Sequence, residues 1–160
     1  GCVDREIFMN IEQKLTDLGL ELPDPVAPAG SYLVGYATGN LLFMSAVGPR
    51  AADGSNITGI MGLDCAVSEG YTAARRAGLR MLSNVKSLIG DLDRVTHVVK
   101  LTGMVQATAE FNEYAQVVNG CSDLLVELYG ESGRHARSSM GVTRNPFDGV
   151  VSLEAIFEID

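Results

Sequence analysis

Between Val67 and Ile89, apolar or small residues recur at Tyr71, Ala74, Gly78, Met81, Leu82, Val85 and Leu88, the spacing of one helix face. Ala73, Ala74, Ala77 and Gly78 give that helix little side-chain bulk, so it can lie close on a sheet. A face this long has to be covered by a second layer. A second stripe predicts a helix over 109–128, with Phe111, Tyr114, Val117, Val118, Cys121 and Leu124 inward and Gly130 and Gly133 ending it. A shorter helix is expected from an N-cap at Asp4 through Leu18, stopped by Gly19.

The covering layer is legible as strands. Residues 32–37 and 40–47 read as a hairpin joined at Gly39-Asn40, preceded by a connector stiffened by Pro23, Pro25 and Pro28. Residues 95–106 are rich in β-branched side chains, and 136–142 and 150–159 give two more strands. The order is α-ββ-α-β-α-ββ, an α+β layer with helices on one sheet face and the other face free for a site or partner. The run 51–62 is rich in Gly, Asp, Ser and Asn and reads as a loop, which holds the glycosylation-like triplet Asn56-Ile57-Thr58.

With 160 residues, 46% of them apolar, the chain suits one domain, a helix over 1–22 followed by a core over 23–160. Charge runs to 12 basic against 20 acidic residues, a net of −8. Phosphate neutralisation needs a local excess of Lys or Arg, so nucleic acid is not an expected partner. No apolar run approaches the ~20 residues of a membrane span, and Asp4, Arg5 and Glu6 stand where a signal peptide is hydrophobic. Cys2, Cys65 and Cys121 suggest no pairing framework, so a cytoplasmic location is expected. No metal-ligand spacing is present. His97 reads as a core or interface histidine beside Val95, Val99 and Leu101, and Arg75, Arg76 and Arg80 read as a solvated helix face.

The last two strands carry the candidate chemistry. In 150–159 the odd positions Val151, Leu153, Ala155, Phe157 and Ile159 are all apolar, while in 136–142 the apolar Met140 and Val142 are even. An antiparallel hairpin aligning the apolar faces places Arg137, Ser139, Ser152 and Glu154 together on the polar face. Two readings of that face stay open, a ligand site and an ordinary cross-strand ion pair.

Several motifs, in order, resemble the YjgF/RidA family, also called L-PSP endoribonuclease-like. They are Pro25-Val26-Ala27-Pro28-Ala29-Gly30-Ser31-Tyr32, Gly39-Asn40-Leu41-Leu42-Phe43-Met44-Ser45, Leu92-Asp93-Arg94-Val95, Ala136-Arg137-Ser138 and Leu153-Glu154-Ala155. The N-terminal helix and Glu131-Ser132-Gly133-Arg134-His135 resemble a longer, largely uncharacterised branch. The resemblance implies a chorismate-mutase-like fold, a six-stranded mixed sheet with two long helices on one face. It also implies a homotrimer with sites between subunits, no metal or organic cofactor, and hydrolysis of enamines and imines such as 2-aminoacrylate to a 2-oxo acid and ammonia.

On that reading Arg137 grips the carboxylate of a small 2-imino acid with paired N–H bonds, which Lys cannot supply. Glu154 guides the proton transfers of water attack. Tyr32 closes the pocket, Ser139 orients the ligand through its backbone, Asn119 matches an asparagine of the second long helix, and His135 lines the cleft. Where the family strand continues Ser-Gly-Gln, this chain has Ser45-Ala46-Val47, an aliphatic group in place of an amide. The rival expectation is a trimeric binder of small carboxylates, or a regulatory protein, without turnover. Endoribonuclease activity stands third, because the acidic balance and the lack of a basic-aromatic patch weigh against it.

Overall fold

The computed structural model describes residues 10–160. Helix α1 (Ile11–Asp17) starts at Asn10, whose side chain accepts a hydrogen bond from the Gln13 N–H. The expected start at Asp4 lies outside the described residues. Strands β1 (Gly35–Thr38) and β2 (Leu41–Val47) form the hairpin around Gly39, which has φ 58°. Helix α2 (Val67–Ile89) and strand β3 (Val95–Gln106) have the expected bounds. Helix α3 (Tyr114–Tyr129) starts later than the periodicity suggests. Backbone bonds between Met61 and both Gln106 and Thr108 hold the intervening chain extended, and a turn from Thr108 to Phe111 follows. Strands β4 (Ala136–Val142) and β5 (Val151–Ile159) complete the chain.

Among the described residues the sheet has five strands in the order β1-β2-β5-β3-β4, not the six that the resemblance implies. The Gly- and Asp-rich stretch after β2 forms only isolated bridges, Arg50 to Asn56 and Thr58 to Gly149 among them, because it has no two-residue alternation to sustain a ladder. Strand β5 lies between β2 and β3 and is antiparallel to both, while β4 is parallel to β3 at the sheet edge. The expected β4–β5 hairpin is therefore absent, and β3 separates the two strands. Parallel neighbours need a long crossover, and α3 supplies it.

Helices α2 and α3 cover one sheet face. A Cβ on Gly120 would stand 2.0 Å from the Tyr71 carbonyl oxygen, and one on Gly103 would stand 2.4 Å from Val118 Cγ2. These two glycines let α3 lie against α2 and against the sheet. Phe157, Leu101, Leu153, Leu82 and Leu124 are wholly buried between the layers. Two bulges in β3, near Thr96 and Val99, break its simple alternation. His97 consequently stands opposite Glu158, away from the buried Val95 and Leu101. Among the described residues no helix covers the other sheet face, which is bare and exposes Tyr36 (63%), Phe43 and Met140. Among the described residues no helix is long and apolar enough to cross a membrane.

Candidate functional site

Arg137 stands in register with Leu101, and Leu101 with Ala155, and both neighbours are buried on the helix-covered face. Its guanidinium therefore points towards α3. Nη1 donates to Asn119 Oδ1 at 2.7 Å and to Ser122 Oγ at 3.1 Å. Among the described residues its Nε and Nη2 have no protein partner, so one edge of the fork is free for a bidentate carboxylate.

The support extends one step further. Ser122 Oγ lies 2.8 Å from His135 Nε2, and His135 Nδ1 lies 2.7 Å from the Gly133 carbonyl. One proton assignment satisfies every group: Nδ1–H donates to Gly133, and Ser122 donates to Nε2 while accepting from Arg137. That assignment needs a neutral imidazole. Burial, and secondarily the charge of Arg137, hold the His135 pKa below its ordinary value, against the opposing bond to Gly133. Two residues beyond Arg137 on the same strand face, Ser139 Oγ is buried without a hydrogen-bond partner among the described residues. An unmet buried hydroxyl costs about 1–3 kcal/mol, which a ligand atom at that position would offset.

Glu154 is in a different place. It stands opposite Thr102 in β3, and Thr102 stands opposite Ser138 in β4, so these residues share the bare face. Lys100 Nζ bonds Ser138 Oγ there at 3.1 Å. Glu154 is exposed and lines an open groove of about 540 Å³ with Tyr32, Tyr36, Ser45, Lys100 and Thr102. The Tyr32 hydroxyl accepts from the Ala29 N–H at 3.2 Å, which leaves its own proton free to donate. Ser45 Oγ donates to the Leu33 carbonyl and fixes the groove wall.

The structure thus divides the expected site in two. Arg137, Ser139, Asn119 and His135 gather between β4 and α3, and Tyr32 and Glu154 gather on the opposite sheet face. The shared polar face expected for Arg137, Ser139, Ser152 and Glu154 is corrected. Edge strand β4 turns its polar odd positions towards polar side chains of α3 and leaves Met140 exposed. Ser122 escaped the sequence reading. Its signal was the spacing of Asn119 and Ser122, three apart on a helix and flanking the buried Cys121. Cys121 is no nucleophile, because burial pushes its thiol up to about 12.

Nor are the three arginines of α2 a solvated face. Arg75 pairs with Glu127 at 2.7 Å, Arg76 Nε donates to the Arg50 carbonyl, and Arg80 is only 8% exposed.

Comparison with known proteins gives a consistent picture. The family model described as "YjgF/chorismate mutase-like, putative endoribonuclease" matches residues 12–158. The chain is 38% identical over 151 residues to Protein TCP17 of Trypanosoma cruzi, covering 94% of each. Its structure resembles that of the Agrobacterium tumefaciens protein Atu1372, of unknown function, at 38% identity and TM-score 0.85 over 94% of both chains. It is similar in fold to E. coli TdcF, solved with bound serine, at 20% identity and TM-score 0.60 over 88% of this chain and 96% of that one.

Proposed function

This chain belongs to the YjgF/RidA family, and from that premise we propose that it hydrolyses small 2-imino acids to 2-oxo acids and ammonia, in a pocket completed between copies of itself. The observation that carries the reading is the division of the site. Arg137 offers a free fork edge on one face of the sheet, and Glu154 offers an exposed carboxylate on the other. A single chain cannot apply both to one small substrate. A neighbouring copy that lays its bare face against the β4 edge brings them together, and in the trimer expected of the family this happens at each junction.

In that pocket the free N–H pair of Arg137 holds the substrate carboxylate. Ser139 supplies a hydroxyl next to it. Glu154 of the neighbouring copy orients a water, accepts its proton as the oxygen adds to the imine carbon, and returns a proton to nitrogen as the carbinolamine collapses. One water is consumed, the C–N bond breaks, and ammonia leaves. Every step is a proton transfer within reach of these side chains, and positioning of an already reactive substrate supplies much of the rate. The serine bound to TdcF, a small amino acid, is a ligand of the size and charge that such a pocket takes.

A second reading, a binder without turnover, is favoured by Ala46-Val47, which puts aliphatic groups where the family strand carries an amide. Pyruvate formation from enzymatically generated 2-aminoacrylate separates the two. Hydrolysis predicts acceleration by the wild type and a loss of roughly a hundredfold or more in kcat/KM for Arg137→Ala, the cost of a buried charge-assisted contact. No acceleration over buffer, together with pyruvate binding that Arg137→Ala removes, establishes the binder instead.

A further inference from the structure

Away from Arg137, three guanidinium groups converge where α2 passes the loop after β2. Arg76 and Arg80 lie one turn apart on α2, and Arg50 follows the end of β2. The chain holds 20 acidic residues to 12 basic ones, yet among the described residues none of these three forms an ion pair. Arg80 donates Nη1 to the Gly48 carbonyl at 2.6 Å, its one hydrogen bond to protein among the described residues. Arg50 Nε is buried and has no partner there. Between Arg50 and Arg80 opens a cavity of about 200 Å³, walled also by Asn56, Asn84, Ser152 and Phe147. Asn84 Oδ1 is occupied by the Val26 N–H at 3.1 Å, which leaves its amide nitrogen as a donor.

A buried guanidinium without a carboxylate is costly. Burial, with the repulsion of Arg50 added, lowers the Arg80 pKa. Glu21, Asp24 and Asp53 line the neighbouring groove across these arginines, but Asp53 is held by Ser55 and none of them reaches ion-pair distance. A backbone strut needs one guanidinium and no cavity, and this arrangement has two with an opening between them.

We propose that Arg50 and Arg80 form an oxyanion pocket that takes the second acid group of a small dianionic ligand. The cavity shares Tyr32 and Ser45 with the groove that holds Glu154. Resting on the hydrolytic reading, this makes the preferred substrate a 2-imino acid with a distal carboxylate or phosphate, its reacting carbon near Glu154 and its tail at the arginines. Phe147, held at φ 58° and mostly exposed, lies at the cavity wall, where it is placed to cover the tail.

The test is direct binding to the full chain, read by calorimetry with inorganic phosphate, succinate and neutral succinamide as probes. The pocket predicts saturable binding of phosphate or succinate and none of succinamide. It predicts roughly tenfold or greater weakening in Arg50→Gln, the loss expected on removing one charged donor. Arg137→Ala is expected to leave phosphate binding intact. Tighter phosphate than succinate marks a phosphorylated ligand, and the reverse marks a dicarboxylate. Arg50 is half-buried and serves as the variant if Arg80→Met fails to fold. No saturable binding below about 10 mM, or an Arg50→Gln chain that binds like the wild type, overturns the proposal. A wild type that binds phosphate and turns over neither 2-aminoacrylate nor an enzymatically generated 2-imino dicarboxylate removes the hydrolytic reading and keeps the pocket. One that turns over either and binds neither dianion does the opposite.

Discussion

The α3–β4 edge and the bare face of β2 and β5 solve opposite problems with polar residues. At the edge, Arg137 is held by two hydrogen bonds that it donates to α3, and a neutral histidine closes the network one serine away. Everything that positions Arg137 lies within one chain. On the bare face, Glu154 is exposed beside uncovered Tyr36 and Phe43, and nothing among the described residues fixes its carboxylate. The first region is preorganised. The second is a surface that needs a covering before its carboxylate has a defined environment. A site built from one of each is assembled only when copies meet, so its activity should depend on assembly as strongly as on its own residues.

The largest effect is therefore expected from a residue that touches no substrate. Phe43→Lys puts a charge on the exposed apolar face, and the account predicts sedimentation as a single chain with turnover abolished. A Phe43→Lys protein that assembles and turns over like the wild type separates the bare face from the site. Next in size is Glu154→Gln, which keeps the shape and removes the base. It should lower kcat roughly a hundredfold, the contribution of a positioned proton carrier, and leave pyruvate binding near the wild-type value. Equal rates take Glu154 out of the mechanism.

The smallest effect lies on the preorganised side. His135 has a folded pKa below the 6.5 of an ordinary histidine, with burial the main cause. Between those two values the unfolded chain binds the proton and the folded chain does not, so stability rises with pH across that window. The contribution is complete above 6.5 and declines as pH falls from there towards the folded pKa. Thermal melts at pH 7.5 and pH 5.5 should show a drop that His135→Gln reduces. An unchanged drop means that the network does not enforce a neutral ring.

The contrast between these regions also explains what the sequence could reveal. Helix α2 and strands β3 and β4 were readable to the residue: α2 has a clean helical period ended by Gly90, β3 follows the turn from Asp91 to Arg94 as a β-branched run, and β4 lies between the Gly133 and Pro146 turns. The faces of β5 were readable because its odd positions are uniformly apolar and do lie under the helices. Which strand would be its neighbour was not readable. Alternation within a strand says nothing of pairing order, and inserting β5 between β2 and β3 sends Arg137 and Glu154 to opposite sides. The bulges in β3 changed the face of His97 for a similar reason, since the extra residue at Thr96 turns His97 over and the one at Val99 restores the register by Leu101. Arg80 looked like a surface residue because nothing local announces that the chain at Gly48 will cover it.

The central claim, that Arg137 and Glu154 serve one site from two chains, is tested most directly by mixing. Arg137→Ala and Glu154→Ala are each inactive on this account. Co-refolded in equal amounts, they should form rings in which about a quarter of the junctions join an intact Arg137 to an intact Glu154, restoring about a quarter of wild-type pyruvate formation. A mixture no more active than its parents, alongside an active wild type, would contradict the account and return both groups to a single chain.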